Sequence, residues 1–192
     1  MDKLKSSVQA IHYLLSVLGE TDKLKIVKLL FFSDKLHLIK YGRTITGDSY
    51  IAMKNGPVGS ITLNVLDNDM EYLSPGQLEY CDVFLEKVSK YTYRPKSIGT
   101  HYDSLSKSDM STIEEVIAKF GQFDNWKLVD LTHKYPEWKT HEKNLLEEVV
   151  KCEDINLKDM FSSIPDDLLG IPEEIIDESK SIFLGLPCEY PT

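Results

Sequence analysis

The chain has 192 residues, 42% of them hydrophobic and 28% charged, values ordinary for a soluble globular protein with a real core. That length suits one domain, or one domain with an appendage. No apolar run is long enough for a membrane span, and the N-terminus opens an amphipathic segment, not a signal peptide, so the expected setting is the cytoplasm. Cys81, Cys152 and Cys188 are widely spaced and form neither a CxxC nor a disulfide framework, which predicts buried or inert thiols.

Leu4 to Leu18 reads as a first helix with Val8, Ile11, Leu14, Leu15 and Leu18 as its apolar stripe. Leu24 to Tyr41 follows as a longer one. Thr21 can cap its start, and Gly42 suits the left-handed position past its end. Leu24, Val27, Leu30, Phe31 and Leu38 share one face, and Ile26, Leu29 and Phe32 widen it until little polar surface is left. A helix apolar nearly all round is expected at the centre of the fold. Asp34 and His37 lie within it, three residues apart and on one face.

After Gly42 the period changes. Thr44–Thr46 and Tyr50–Met53 read as two strands joined by a Gly47-Asp48-Ser49 turn. Asn55-Gly56-Pro57 closes the second strand and starts a helix near Pro57. Ser60 to Leu66 is a short helix, Ser74-Pro75-Gly76 a turn, and Val83 to Tyr93 one or two strands. These strands are expected to join the Thr44–Met53 hairpin, because an isolated hairpin is only marginally stable. Ser106-x-x-Asp109 resembles a capping box ahead of Met110, Ile113, Ile117 and Phe120, with Gly121 as the stop. Trp126 to His133 is a further helix, ended by Pro136, with Trp138 packed nearby. Lys143–Cys152, Leu157–Ile164 and Pro172–Leu184 complete the helical set. From Glu142 onward there are thirteen acidic and four basic residues, which accounts for the whole net charge of −9. An acidic segment disfavours nucleic acid and suits a basic partner surface; the plainer reading is a solvated helical face.

One combination of residues is specific. Lys28-Leu29-Leu30-Phe31-Phe32, Asp34, His37, Tyr41-Gly42, Thr46-Gly47-Asp48, Tyr50, Ala52 and Gly56-Pro57-Val58 come in this order. Phe120-Gly121, Leu128, Leu131-Thr132-His133 and Pro136-Glu137-Trp138 follow downstream. Together they resemble the Panacea domain of SocA-like antitoxins from toxin–antitoxin systems, over roughly residues 20 to 140. Phe31-Phe32-Ser33 stands where Tyr-Phe-Ala is more usual, and Asn55 where an aromatic is common. These departures bear on specificity, not on membership.

Each candidate for chemistry has a structural counterpart. His133, Glu137 and His141 would share a face of an unbroken helix, as metal ligands do, but Pro136 interrupts the spacing. Asp34 and His37 could be an acid–base pair, yet no nucleophile motif, phosphate loop or metal signature accompanies them. The structural reading makes them buried, hydrogen-bonded groups that fix the hairpin on the helix, and the resemblance favours it. Lys23, Lys25, Lys28, Lys35, Lys40, Arg43 and Lys54 make the central region basic, but not as one stripe. Tyr50, Lys54, Asn55 and Pro57 flank a rigid turn that serves equally as turn chemistry or as a contact surface.

The expected fold is α-rich α+β: a helical bundle around Leu24–Tyr41 with a small antiparallel sheet. Residues 1–141 would form the Panacea domain and 142–192 an acidic helical extension packed on or next to it. The resemblance implies an antitoxin that neutralises a co-encoded protein toxin by direct binding, with no catalysis and no cofactor. Expected toxin contacts are Tyr50, Lys54, Asn55, Pro57, Glu173, Glu174, Phe183 and Tyr190. Asp34, His37, Gly42, Gly47 and Gly56 are expected to be structural. The alternative is an adaptor that delivers the toxin to a cellular protease, the role understood for the family's namesake. A hydrolase or metal enzyme using Asp34, His37 or the His133 region is the third possibility.

Overall fold

The hydrophobic run seen in sequence builds α2 (Lys23–Tyr41), in which every residue from Ile26 to Ile39 is buried. A helix with no polar side has to be wrapped by the rest of the chain. The computed structural model describes residues 3–97 and 101–185. Leu186, Cys188 and Tyr190 lie outside them.

The N-cap of α2 is Asp22, not Thr21. The Asp22 carboxylate accepts from the Leu24 amide at 2.8 Å, where its charge also complements the helix dipole. The Thr21 hydroxyl turns back to the Gly19 carbonyl instead. Gly42 ends the helix at φ 70°, and its N–H returns to the Leu38 carbonyl.

In chain order, α1 (Lys3–Leu18) and the two-residue strand β1 (Thr21–Asp22) precede α2. A hairpin of β2 (Tyr50–Met53) and β3 (Gly56–Gly59) leads into α3 (Ser60–Asp67). Then come α4 (Pro75–Phe84), β4 (Leu85–Lys87), β5 (Thr92–Pro95), α5 (Lys107–Phe120), α6 (Asn125–Thr132) and α7 (Pro136–Lys139). The chain continues through α8 (Glu142–Leu146), β6 (Cys152–Asp154), a 3₁₀ turn at Leu157–Met160, and α9 (Glu173–Phe183). The fold is α+β and α-rich, with antiparallel strand pairs. α1, α3, α5, α6 and α9 pack on α2, as does β3. Phe32 of α2 stacks on Phe120 of α5 with ring centroids 4.3 Å apart. Trp138 is fully buried in α7, and its Nε1 donates to the Met53 carbonyl at 2.8 Å, tying α7 to β2. Among the described residues no helix is long and apolar enough to cross a membrane.

The strands differ from expectation in three ways. Thr44–Thr46 is not a strand, because two of its amides are taken by a side chain of α2 (below). The hairpin turn is Lys54-Asn55, and Pro57 lies in β3 opposite Ala52, so the next helix starts only at Ser60. Pro is tolerated there because β3 is an edge strand, in a sheet of order β3-β2-β6. Third, β4 and β5 do not join this hairpin. They form a separate sheet with β1, where Thr21 faces Tyr93. What completes the β2–β3 sheet is β6, with Met53 opposite Cys152 and Ile51 opposite Asp154.

Three further segments differ from expectation. Ser74-Pro75-Gly76 begins α4 instead of making a turn. Ser74 is the N-cap, Pro75 the first helical residue, and the Gln77 side chain accepts from the Ser74 amide at 2.9 Å. The expected Lys143–Cys152 helix stops at Leu146 and gives way to β6, which leaves Cys152 exposed, whereas Cys81 is buried. The expected Leu157–Ile164 helix is only the 3₁₀ turn, its Met160 carbonyl drawn to Lys35 Nζ at 2.8 Å.

Candidate functional site

Asp34 is completely buried in the middle of α2. Its Oδ1 accepts from the amides of Ile45 at 2.7 Å and Thr46 at 3.0 Å. Its Oδ2 accepts from the Thr46 hydroxyl and, at 2.8 Å, from the Tyr50 hydroxyl. Burial pushes its carboxyl upward, against the hydrogen bonds from Thr46, Tyr50 and Ile45 that favour the charged form. Asp34 therefore holds the 45–50 segment on the helix as a strand partner otherwise would.

Asp48 performs a second local task. It accepts from the amides of Ile61 and Thr62 at 2.9 Å each and from the Thr62 hydroxyl at 3.0 Å. It thus caps α3, whose own N-cap, Gly59, has no side chain to do so. A Cβ on Gly59 would overlap Asp48 Oδ2. Gly56, at φ 97°, would place a Cβ 2.5 Å from Thr132 Oγ1 and 2.7 Å from Lys28 Nζ.

His37 does not bond to Asp34. Its Nδ1 lies 2.8 Å from the Arg43 carbonyl and its Nε2 3.0 Å from Asp109 Oδ1. Asp109 also receives Arg43 Nη2 at 2.8 Å and closes the expected capping box of α5 through the Ser106 amide. Burial raises the Asp109 carboxyl, but the bonds from His37 and Ser106 and the Arg43 charge outweigh it and hold it at about 2.

Two lysines of α2 are buried, although by sequence both count toward a basic central region. Lys35 and Glu137 form an ion pair of 2.7 Å with both side chains 0% exposed. Lys35 also donates to Ser162 Oγ at 3.1 Å, and Ser162 in turn donates to Glu137 at 2.9 Å. Burial lowers the Lys35 ammonium, and the Glu137 charge and hydrogen bond partly restore it. Lys28 is 1% exposed and donates to the Pro57 carbonyl at 2.8 Å. Burial lowers its ammonium to about 7.

The possible metal ligands do not converge. Glu137 faces Lys35, His141 lies 2.5 Å from Glu153, and His133 stacks on Trp138 with centroids 3.5 Å apart. Burial, aided by the Lys28 charge, holds His133 down at about 4. Among the described residues no group of three ligand-type side chains could hold a metal.

A family model described as "Antitoxin SocA-like, Panacea domain" matches residues 26–139. The chain belongs to this family. No curated protein and no solved structure matches it. The Panacea segment runs from the first turn of α2 to the end of α7. It contains the Asp34, Asp48, His37–Asp109 and Lys35–Glu137 anchors. Family membership supports an antitoxin role in general, and with it a toxin partner.

The residues expected to contact a toxin fall into different environments. Tyr50 is 3% exposed and committed to Asp34, and Pro57 is buried, so neither offers surface. Lys54 and Asn55 are exposed at the hairpin turn, with Lys54 Nζ 2.6 Å from Glu148. Glu173 and Glu174 are exposed in the first turn of α9. Phe183 is half-buried against Phe161, and Tyr190 is outside the described residues. Ile182 of α9 faces Gly42, at the opposite end of α2 from the hairpin turn, which faces Lys28. The structure therefore does not join the two sets into one patch.

Proposed function

We propose that this protein is a non-enzymatic antitoxin that acts in the cytoplasm and neutralises a co-encoded protein toxin by binding it directly. The family match over residues 26–139 carries this reading. The state of Asp34 and His37 supports it: both are buried and bonded to the backbone of the 43–46 segment. Residues 1–141 act as the Panacea scaffold and 142–192 as an acidic extension packed on it. The pairing of β6 with β2 and of α9 with α2 supports that division of labour.

The experiment is a rescue assay. The product of the neighbouring reading frame is expected to arrest growth when expressed alone and to be tolerated with this chain. Folded Asp34→Asn and His37→Gln variants should still rescue. Loss of rescue in a variant with an unchanged circular dichroism spectrum would favour chemistry at those side chains. Rescue in a protease-deficient host is expected too; its absence there would favour delivery to a protease.

A further inference from the structure

A groove of about 560 Å³ lies between the start of α2, the β2–β3 turn, α3 and the segment after α8. Its walls are apolar: Leu24, Val27, Val58, Leu63, Leu145 and Val150. Its charged lining runs against the net charge of the chain. Lys28, Lys54 and Lys151 face Glu148 alone, in a protein of net charge −9. Lys54 and Glu148 already pair at the mouth. Lys28, deeper in, has no carboxylate. Among the described residues its one hydrogen bond is to the Pro57 carbonyl, so an ammonium with three N–H groups uses one of them.

Lys35, seven residues on, shows what the fold does when a buried lysine is to be satisfied internally. It has Glu137, the Met160 carbonyl and Ser162. Lys28 lacks such a set, and burying a charge without a partner is costly. Gly56 lets the ammonium pack against the backbone of the hairpin, because a Cβ there would lie 2.7 Å from Nζ and 2.5 Å from Thr132 Oγ1.

We propose that this groove is a docking site for a segment of the protein toxin carrying one carboxylate among apolar side chains. Lys28 Nζ is the counter-ion for that carboxylate. The inference rests on the antitoxin reading and adds where the toxin binds and by what chemistry. Apolar walls with one desolvated charge at the base resemble the anchoring pocket of a protein interface. The rim lysines, Lys54 and Lys151, draw the acid in, and the buried ammonium discriminates against neutral segments.

The test uses proton linkage. The groups facing Lys28 are Lys54, Lys151 and Glu148 at the mouth and His133 from the end of α6. Lys28 itself is held near 7 by burial, so it is largely neutral at pH 8 and must gain a proton to meet a carboxylate. Calorimetry of the full chain with the neighbouring frame's product, at pH 8 in buffers of different ionisation heat, should show uptake of nearly one proton. At pH 6 the uptake should vanish. Lys28→Met should remove the uptake at pH 8 and weaken binding at pH 6 at least about tenfold, with the fold retained. Lys25→Met, outside the groove lining, should change neither.

Unchanged affinity in Lys28→Met, or wild-type uptake near zero at pH 8, overturns the docking site while leaving the antitoxin reading intact. A short-chain carboxylate such as hexanoate that fills the groove without displacing the toxin also overturns it, in favour of a small-molecule site. If the wild-type chain fails to bind the neighbouring product at all, the antitoxin reading falls and this inference with it.

Discussion

Buried polar residues of α2 join distant segments, and Asp109 shows how such a junction depends on pH. Its folded carboxyl is held at about 2, below the ordinary 3.8, by His37, Ser106 and Arg43 acting against burial. A depressed carboxyl stabilises the fold above the unfolded value, and that contribution is lost as the pH falls toward 2. Arg43 is half exposed, so the full shift overstates the effect; about 1–2 kcal/mol is expected. Asp109→Asn should lower stability by that amount at pH 6 and flatten the decline between pH 4 and 2. Urea unfolding across this range checks it, and an Asn variant as acid-sensitive as the parent would contradict it. That Asp34 and His37 are buried and hydrogen-bonded was legible, because polar residues stand out in an apolar helix. Lys28 and Lys35 were not, although the clue was present: a helix buried on every side leaves a lysine no outward direction.

Elements whose signal is hydrophobic period were readable; those held by a side chain from elsewhere were not. α1, α2, α3, α5 and α6 follow their apolar spacing to within a residue or two. Thr44–Thr46 has strand-like composition, but the Asp34 carboxylate occupies two of its amides, and no local pattern announces that. β1 is two residues long and pairs with β5 some seventy residues on, which spacing cannot reveal. Ser74-Pro75-Gly76-Gln77, by contrast, carried a readable helix start that Pro and Gly disguised as a turn. The glycines make this testable. Gly76 sits in α4 with open space at its Cβ position, so Gly76→Ala should add up to about 1 kcal/mol of stability. Gly59→Ala should cost about 2 kcal/mol or more, because Asp48 would have to leave the α3 amides it caps. Thermal melts of the two variants should move in opposite directions; a shift of the same sign would mean the Asp48 cap contributes little.

Across the whole molecule the charge is divided, with the excess acid from Glu142 onward and a lysine-lined groove where the Panacea part meets the segment after α8. α9 packs on α2 and buries Ile176 and Ser179, while Glu173, Glu174, Asp177 and Glu178 remain exposed. Ile182, near Gly42, and Lys28, at the groove, are separated by about 21 Å of α2. That distance fits within one interface of ordinary size, so one toxin could meet both with a basic patch and an acidic anchor. The two should then act on different steps. Rim and surface charges set the rate of encounter, and desolvated anchors set the rate of escape. Reversing all four acids of α9 to Lys is expected to slow association several-fold at low salt. The difference should disappear above physiological ionic strength, where the screening length is about 8 Å or less. The dissociation rate should change little, unlike in Lys28→Met. Stopped-flow mixing at several salt concentrations, with circular dichroism to confirm the fold, separates these effects. An association rate that is unchanged at low salt would show that the acidic face of α9 is merely solvated, leaving the groove to account for recognition.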